Sequence, residues 1–109
     1  MLFNYSIIGI GSNHKDKLSY LAQAIKFLKN NLYIDVIKIA SVYFSNAQLP
    51  DNAPEDWNKD FLNSAVLIQT SLSPSELLFD LKKIEAQMGR EKAPDWSPRV
   101  IDLDILLFG

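Results

Sequence analysis

Apolar and β-branched residues are concentrated in four runs that predict β-strands. Residues 5–10 and 33–44 are rich in Ile, Val and Tyr, and residues 63–70 and 100–108 have a similar character. The first run leads into Gly-Ile-Gly-Ser-Asn at residues 9–13, where two glycines permit a tight turn from a strand into a helix. The pattern therefore predicts four strands, the first of them ending at a glycine turn.

Two further segments have the spacing of an amphipathic helix. In residues 17–29, apolar side chains recur every three or four residues at Leu18, Leu21, Ala22, Ile25 and Leu28. Residues 73–76 read Ser-Pro-Ser-Glu, which supplies a capping hydroxyl, a first-turn proline and a reciprocating carboxylate. Gly89 is placed to close this second helix in a left-handed conformation.

The order of these elements predicts the fold class. It is β-α-β-β-α-β, in which two helices can cover one face of a four-stranded antiparallel sheet, the α+β arrangement called ferredoxin-like. Residues 45–60 and 90–99 lack periodicity and predict two long loops. A chain of 109 residues suits one core, so we expect residues 1–109 to form a single domain.

Composition narrows the possible functions. A net charge of −2 gives no general attraction to nucleic acid or anionic lipid, so we expect neither as a partner. The chain has no cysteine and a single histidine, His14, which excludes thiol chemistry and argues against histidine-based acid–base catalysis. The first residues lack the basic and long apolar segments of a secretory signal or membrane span, so we expect a cytoplasmic protein.

Two aspartates interrupt the last predicted strand. Asp102 and Asp104 are two residues apart, so both side chains should point to one face of the sheet, opposite Ile101, Leu103 and Ile105. Neighbouring carboxylates repel unless a cation compensates them or one is protonated, and a hard divalent metal ion does so with oxygen ligands. A bare Asp-x-Asp is nevertheless more often a solvated strand end.

The loop before this strand favours the metal interpretation. It contains the cations Arg90, Lys92 and Arg99. Proteins commonly bind polyphosphate with magnesium and arginines together. This cluster predicts phosphoryl or diphosphoryl transfer.

Three more residues could bind a flat heterocycle. Trp96 lies among the cations, where it could either stack on a ring or cover the sheet edge. Phe61 and Asn63 follow the other long loop and offer a ring face and an amide that both donates and accepts hydrogen bonds. Such a pair is more often an aromatic residue at the edge of a sheet next to an Asn that forms a turn.

The glycines at positions 9 and 11 do not form a familiar phosphate-binding motif. A dinucleotide fingerprint requires a third glycine, and a P-loop ends in Gly-Lys-Ser or Gly-Lys-Thr, neither of which follows here. Phosphate binding is therefore expected in the loop at residues 90–99.

Several segments together resemble the hydroxymethyldihydropterin pyrophosphokinase family. They are residues 9–13, Phe-Leu-Asn at 61–63, and Trp-Ser-Pro-Arg-Val-Ile-Asp-Leu-Asp-Ile at 96–105, with Ser-x-Tyr at 41–43, Ile-Glu at 84–85 and Gly-Arg at 89–90. The resemblance extends from the first strand to Gly109. It implies a ferredoxin-like enzyme of folate biosynthesis that transfers diphosphate from ATP to the hydroxymethyl group of 6-hydroxymethyl-7,8-dihydropterin and releases AMP.

The resemblance also implies roles for individual residues. Two magnesium ions that bridge the ATP phosphates would be held by Asp102 and Asp104, and Arg90 and Arg99 would engage the phosphates and assist transfer. The pterin would lie against Phe61, Asn63 and Trp96. Nucleotide contacts would come from Leu78, Lys82, Glu85, Lys92 and Ile105.

The sequence departs from the family pattern in two places. Family members commonly read Arg-Trp-Gly-Pro-Arg where this chain has Asp-Trp-Ser-Pro-Arg at residues 95–99, and their second loop arginine corresponds to Lys92, which cannot fork to two phosphate oxygens. Members also continue past the final Leu-Phe-Gly with a segment that carries a His-Pro and an Arg. We therefore expect either a part of a longer or fused folate-pathway protein or a short form, working as a monomer.

Two other functions stay open at this point. A ferredoxin-like module could keep a pterin pocket without using ATP, and a purely structural domain would bind neither ligand. Calorimetry with pterin and with magnesium and nucleotide distinguishes these possibilities from the enzyme.

Overall fold

The computed structural model of the chain describes residues 3–14, 16–45, 61–89 and 101–109. Its elements in chain order are β1 (Asn4–Ser12), α1 (Lys17–Lys29), β2 (Ile34–Ile39), β3 (Tyr43–Ser45), β4 (Phe61–Thr70), α2 (Pro74–Gln87) and β5 (Asp102–Phe108). The predicted loop at 90–99 lies outside the described residues, as does all of the predicted loop at 45–60 except its first residue, which ends β3.

The strands form one antiparallel sheet in the order β2-β4-β1-β5, and β3 pairs with β4 as well. This order confirms the predicted α+β, ferredoxin-like fold. The strand predicted at residues 33–44 is instead two strands, so the sheet has five strands rather than four. The pairing with β4 shifts by one residue between Val36 and Lys38, inside β2, and by one more between Ile39 and Tyr43, where the strand divides. Composition alone does not encode such shifts.

The core lies between the sheet and the helices. Every second residue of β4 is buried, including Leu62, Val66 and Ile68, and these side chains pack with apolar residues of both helices. Full burial of one such aliphatic side chain stabilises a fold by roughly 1.5–3 kcal/mol. The opposite face of the sheet is left with the alternate residues, and the candidate site lies there.

Helix α1 has the predicted bounds but a narrower buried stripe. Leu21, Ala24 and Leu28 are buried, whereas Leu18 and Ala22 are exposed, so two of the five predicted stripe positions face outward. Positions 21, 24 and 28 follow the three- and four-residue spacing that faces the sheet directly. No helix in the described ranges combines the length and apolarity that crossing a membrane requires.

Helix α2 begins as the sequence predicts. The Ser73 hydroxyl accepts a hydrogen bond from the Glu76 backbone N–H at 3.2 Å, and the Glu76 carboxylate accepts one from the Ser73 N–H at 2.9 Å. The bond from the Ser73 backbone N–H to the Glu76 carboxylate, and second a bond to it from the Ser73 hydroxyl, lower the pKa of Glu76. Past the other end of the helix, Gly89 has φ of +84°, the left-handed conformation predicted for its closure.

Candidate active site

The glycine segment of β1 is part of the strand and not a turn. Strand β1 runs to Ser12, because it pairs with β4 and β5 on its two sides through Gly9 and Gly11. Ile8 and Ile10 are buried toward the helices, so the two glycines lie on the opposite face. The prediction of a turn at residues 9–13 was wrong, because glycine serves here to leave space above a strand.

One row of paired residues crosses four strands on this face. Tyr43 of β3 pairs with Asn63 of β4, Asn63 pairs with Gly11 of β1, and Gly11 pairs with Asp102 of β5. Neighbouring strands are roughly 4.8 Å apart, so the backbones of Asn63 and Asp102 are about 10 Å apart. Gly11 lies between them without a side chain, which leaves a shallow floor flanked by an amide and a carboxylate.

The next row supplies the second aspartate. Asp104 pairs with Gly9, and Leu106 follows as the extra residue of a bulge, since Ile105 and Leu107 pair with consecutive residues of β1. A Cβ atom at Gly9 would lie 3.1 Å from Leu106 Cδ1. The second glycine therefore gives room to the Leu106 side chain, which closes this end of the site.

These rows surround a cavity of about 250 Å³. It is lined by Gly9, Ile10, Gly11, Tyr43, Phe61, Asn63, Ser64, Asp102, Asp104 and Leu106. Four predicted site residues meet there, two from each predicted class: Phe61 and Asn63 on one side, Asp102 and Asp104 on the other. The glycines and Leu106 were not predicted to line a site, and Tyr43 was named only within a segment that resembles the start of the family's pterin loop. Glycines inside a β-rich run were the available signal, because they often mark a close approach to a strand.

The two aspartates suit a hard divalent cation. Both aspartates line the cavity, and Asp104 is exposed while Leu103 between them is fully buried on the other face, as the alternation predicts. Among the described residues there is no group of three His, Cys, Asp or Glu that could hold a metal. Magnesium commonly takes only one or two protein carboxylates and completes its shell with water and phosphate oxygens, so two aspartates fit it.

The residues of α2 named by the resemblance lie beside β5 and outside the cavity lining. Glu85 is buried and accepts a hydrogen bond from the Leu103 N–H at 2.7 Å, while Lys82 Nζ lies 3.3 Å from the Glu85 carboxylate. Leu78 is on the same side of the helix and partly exposed, and Ile105 is partly buried against the core. The structure thus places Lys82 and Glu85 behind the aspartates and gives no cavity contact to Leu78 or Ile105.

The other predicted site residues, Arg90, Lys92, Trp96 and Arg99, lie outside the described residues. Their roles stay predictions.

The family model and two known proteins that are similar to this chain name the same enzyme. A family model described as 7,8-dihydro-6-hydroxymethylpterin-pyrophosphokinase matches residues 7–109. The chain is 41% identical to the 2-amino-4-hydroxy-6-hydroxymethyldihydropteridine pyrophosphokinase of Aquifex aeolicus, over 93% of this chain and 59% of the relative. It is also 41% identical to the Bacillus subtilis protein of that name, over 96% of this chain and 60% of the relative.

A longer relative carries a similar segment. The folate synthesis bifunctional protein of Chlamydia muridarum is 33% identical over 98% of this chain, which corresponds to 24% of that protein. The chain therefore spans about three fifths of the length of the Aquifex and Bacillus relatives and a smaller share of the bifunctional one.

Proposed function

The chain belongs to the 7,8-dihydro-6-hydroxymethylpterin-pyrophosphokinase family, and on that premise we propose that it transfers diphosphate from ATP to the hydroxymethyl group of 6-hydroxymethyl-7,8-dihydropterin. In this proposal the reaction releases AMP and belongs to folate synthesis. The observation that carries the proposal is that one cavity brings Phe61 and Asn63 opposite Asp102 and Asp104. One side of this cavity suits a polar flat ring, and the other suits a cation-bound polyphosphate.

The proposed pterin side is built from β3 and β4. Phe61 offers an aromatic face, and the Asn63 amide can donate to and accept from the ring nitrogens and oxygen of a pterin. Tyr43 lies next to Asn63 on the neighbouring strand and extends the aromatic wall. We include Trp96 in this pocket as a proposal that rests on the family resemblance.

The proposed phosphate side is built from β5. Asp102 and Asp104 would hold two magnesium ions, which when bound supply charge neutralisation for the triphosphate and help to activate the pterin hydroxyl. Arg90 and Arg99 are proposed to engage the phosphates and assist transfer, with Lys92 as a further cation. The nucleotide would extend along α2 and β5 toward Leu78, Lys82, Glu85 and Ile105.

The proposed reaction needs no covalent intermediate on the protein. The pterin hydroxymethyl oxygen forms a bond to the β-phosphorus of ATP, and the bond from that phosphorus to the oxygen that bridges the α-phosphate breaks. AMP leaves with this oxygen, and the hydroxyl proton passes to solvent. The contribution of the chain is to hold both substrates in line, since orientation accounts for much of the rate in phosphoryl transfer.

A longer relative indicates the kind of protein in which this domain can occur. Because a similar segment forms part of the bifunctional protein from C. muridarum, we propose that this domain can also work within a longer folate-synthesis protein. A cytoplasmic location is proposed because its co-substrate ATP is an intracellular metabolite.

AMP release tests the proposed reaction directly. Purified protein with the full reading frame, given ATP, magnesium and the pterin alcohol, should form AMP and the pterin diphosphate in equal amounts, measured by ³¹P NMR and chromatography. Asp102→Asn and Asp104→Asn keep the side-chain shape but remove a metal ligand, so each should lower kcat/KM by about 100-fold or more.

Asp35→Asn is the matched control for these variants. Asp35 is an exposed aspartate of β2, paired with Gln69 and distant from the cavity lining, so its replacement should leave the rate unchanged. Absence of AMP with the wild-type protein would refute the enzymatic proposal. If the protein then bound pterin without binding magnesium and nucleotide, it would be a pterin-binding module instead.

A further inference from the structure

Two side chains of helix α2 form hydrogen bonds with the backbone of one β5 residue, Leu103. The Leu103 N–H donates to Glu85 Oε2 at 2.7 Å, and the Leu103 carbonyl accepts from Lys82 Nζ at 3.4 Å. Lys82 and Glu85 are also joined to each other by an ion pair of 3.3 Å. Both backbone groups of Leu103 that point away from β1 are therefore bonded to side chains of one helix.

These hydrogen bonds matter for the site because Leu103 lies between Asp102 and Asp104. Its N–H belongs to the peptide unit that joins it to Asp102, and its carbonyl belongs to the unit that joins it to Asp104. Strand β5 is last in the described strand order and pairs on one side with β1. An edge strand is less constrained than a central one, so the two peptide units between the aspartates depend on α2 for their outer hydrogen bonds.

The burial of Glu85 indicates that its carboxylate serves this contact. Its side chain is 2% exposed, whereas that of Lys82 is 48% exposed. A buried carboxylate is costly unless it is paired and hydrogen-bonded, and here the Leu103 N–H and the Lys82 ammonium both compensate it. The short distance from the Leu103 nitrogen to Glu85 is typical of a hydrogen bond to a charged acceptor.

We propose that Glu85, supported by Lys82, is a positioning residue that fixes Asp102 and Asp104 at the spacing required to hold divalent cations. This inference rests on the proposed function, because it assumes that the two aspartates bind metal. The proposed role differs from a direct contact with the nucleotide, because the Glu85 carboxylate acts on the two aspartates through the backbone of Leu103. Groups that orient metal ligands in this way typically change metal affinity by about 10- to 100-fold when they are replaced.

Manganese binding without nucleotide tests the inference, because a direct nucleotide contact by Glu85 would not affect it. We compare Glu85→Leu, which removes the acceptor and the charge, with Glu85→Gln, which removes the charge and keeps an acceptor oxygen. Mn²⁺ affinity is measured by electron paramagnetic resonance well below the melting temperature of each variant. Glu85→Leu should weaken Mn²⁺ binding about 10-fold or more, and Glu85→Gln should restore most of the loss.

The pattern of the two variants separates positioning from simple electrostatics. Equal weakening in Glu85→Leu and Glu85→Gln would show that only the charge matters and would overturn the proposal. Unchanged affinity in Glu85→Leu would overturn it as well. If the wild-type protein bound no Mn²⁺, the proposed metal site would be refuted, and this inference with it. That result is distinct from the two above.

A second pair of variants decides the question even if Glu85→Leu does not fold. Lys82→Met and Lys83→Met each remove one exposed ammonium from α2, but Lys82 alone contacts Leu103. Loss of a nearby cation should by itself strengthen Mn²⁺ binding. The proposal predicts the opposite for Lys82→Met, with weaker binding and faster amide exchange at Leu103 than in Lys83→Met. Stronger or equal binding in Lys82→Met would overturn it.

Discussion

Gly11 shows how a residue without a side chain can define a site. A Cβ atom at this position would lie 2.9 Å from Asn63 Oδ1, which is closer than such atoms approach in proteins. The conflicting atom is the end of a side chain, so the strand can keep its place while the amide moves. Gly11 therefore sets where the Asn63 amide lies.

The first prediction follows for Gly11→Ala. The variant should fold with wild-type secondary structure, because only the Asn63 side chain must give way. It should bind the pterin alcohol about 3- to 10-fold more weakly, the effect of losing a hydrogen bond worth about 1 kcal/mol. Nucleotide affinity should stay unchanged. Isothermal titration with each ligand separately measures both effects.

Two comparisons tie this loss to Asn63. Gly9→Ala serves as the matched variant, because its new methyl group would meet Leu106 and not Asn63. The double variant with Gly11→Ala and Asn63→Ala should bind pterin no worse than Asn63→Ala alone, since both changes remove the same contact. Additive losses in the double variant would contradict the assignment.

The residues of the site differ in how far sequence could predict them. Asp102 and Asp104 were found by their two-residue spacing, because alternation in a strand is a local rule. The opening left by Gly11 depends on a side chain of β4, 52 positions further along the chain, and on which residues pair across the sheet. Local pattern contains no information on that pairing, so the glycines were interpreted as a turn.

At the scale of single elements, the start of α2 was the most predictable feature. Its capping residues lie within four consecutive positions, and each hydrogen bond of the capping box joins residues three positions apart. The break between β2 and β3 was not predictable for the opposite reason, since it arises from register against β4. Only local interactions can be inferred from local sequence.

The second prediction concerns the cap of α2. Ser73→Ala removes the hydroxyl that accepts from the Glu76 N–H, and should lower the free energy of unfolding by about 1 kcal/mol. Urea denaturation at pH 7 measures the change. Ser75→Ala, in the same exposed turn, is the control and should cost less; equal losses would argue against a capping role for Ser73.

The third prediction is a pH dependence at the same helix end. Bonds from the Ser73 backbone and hydroxyl lower the pKa of Glu76 from its ordinary value of 4.5. The folded state thus favours the ionised carboxylate, and this contribution to stability is present above that ordinary value. It is lost as pH falls through the lower pKa of the folded state.

Denaturation curves between pH 6 and pH 3 test this dependence. Glu76→Gln has no carboxylate to titrate at this position, so the loss of stability below about pH 4.5 should be smaller in the variant than in wild type. Curves that remain parallel over the whole range would show that Glu76 does not contribute.

At the scale of the whole molecule, the site is assembled from segments that are distant in sequence. Its floor is β1, one side is β4 with β3, and the other side is β5, so all of these strands must pair before the cavity exists. The ferredoxin-like order could be predicted because the sequence of strands and helices allows few topologies. The contacts within the cavity could not, since they come from register between strands.

This assembly leads to the last prediction, that ligands of the site stabilise the entire domain. A ligand that binds the folded state alone adds about 2.7 kcal/mol to the free energy of unfolding at 100 times its Kd. Binding across β1, β4 and β5 requires the central sheet, so the gain should appear as one cooperative upward shift in Tm. Magnesium with a nonhydrolysable ATP analogue should produce this shift, and addition of EDTA should abolish it.

Calorimetric melting of wild type and Asp102→Asn tests this coupling. The analogue should raise the Tm of wild type far more than that of the variant, because the variant lacks a carboxylate that the metal requires. The pterin alcohol should raise the Tm of both proteins, since its proposed contacts lie on β3 and β4. An equal shift with magnesium nucleotide in both proteins would mean that the nucleotide binds away from Asp102, and the cavity would then serve the pterin alone.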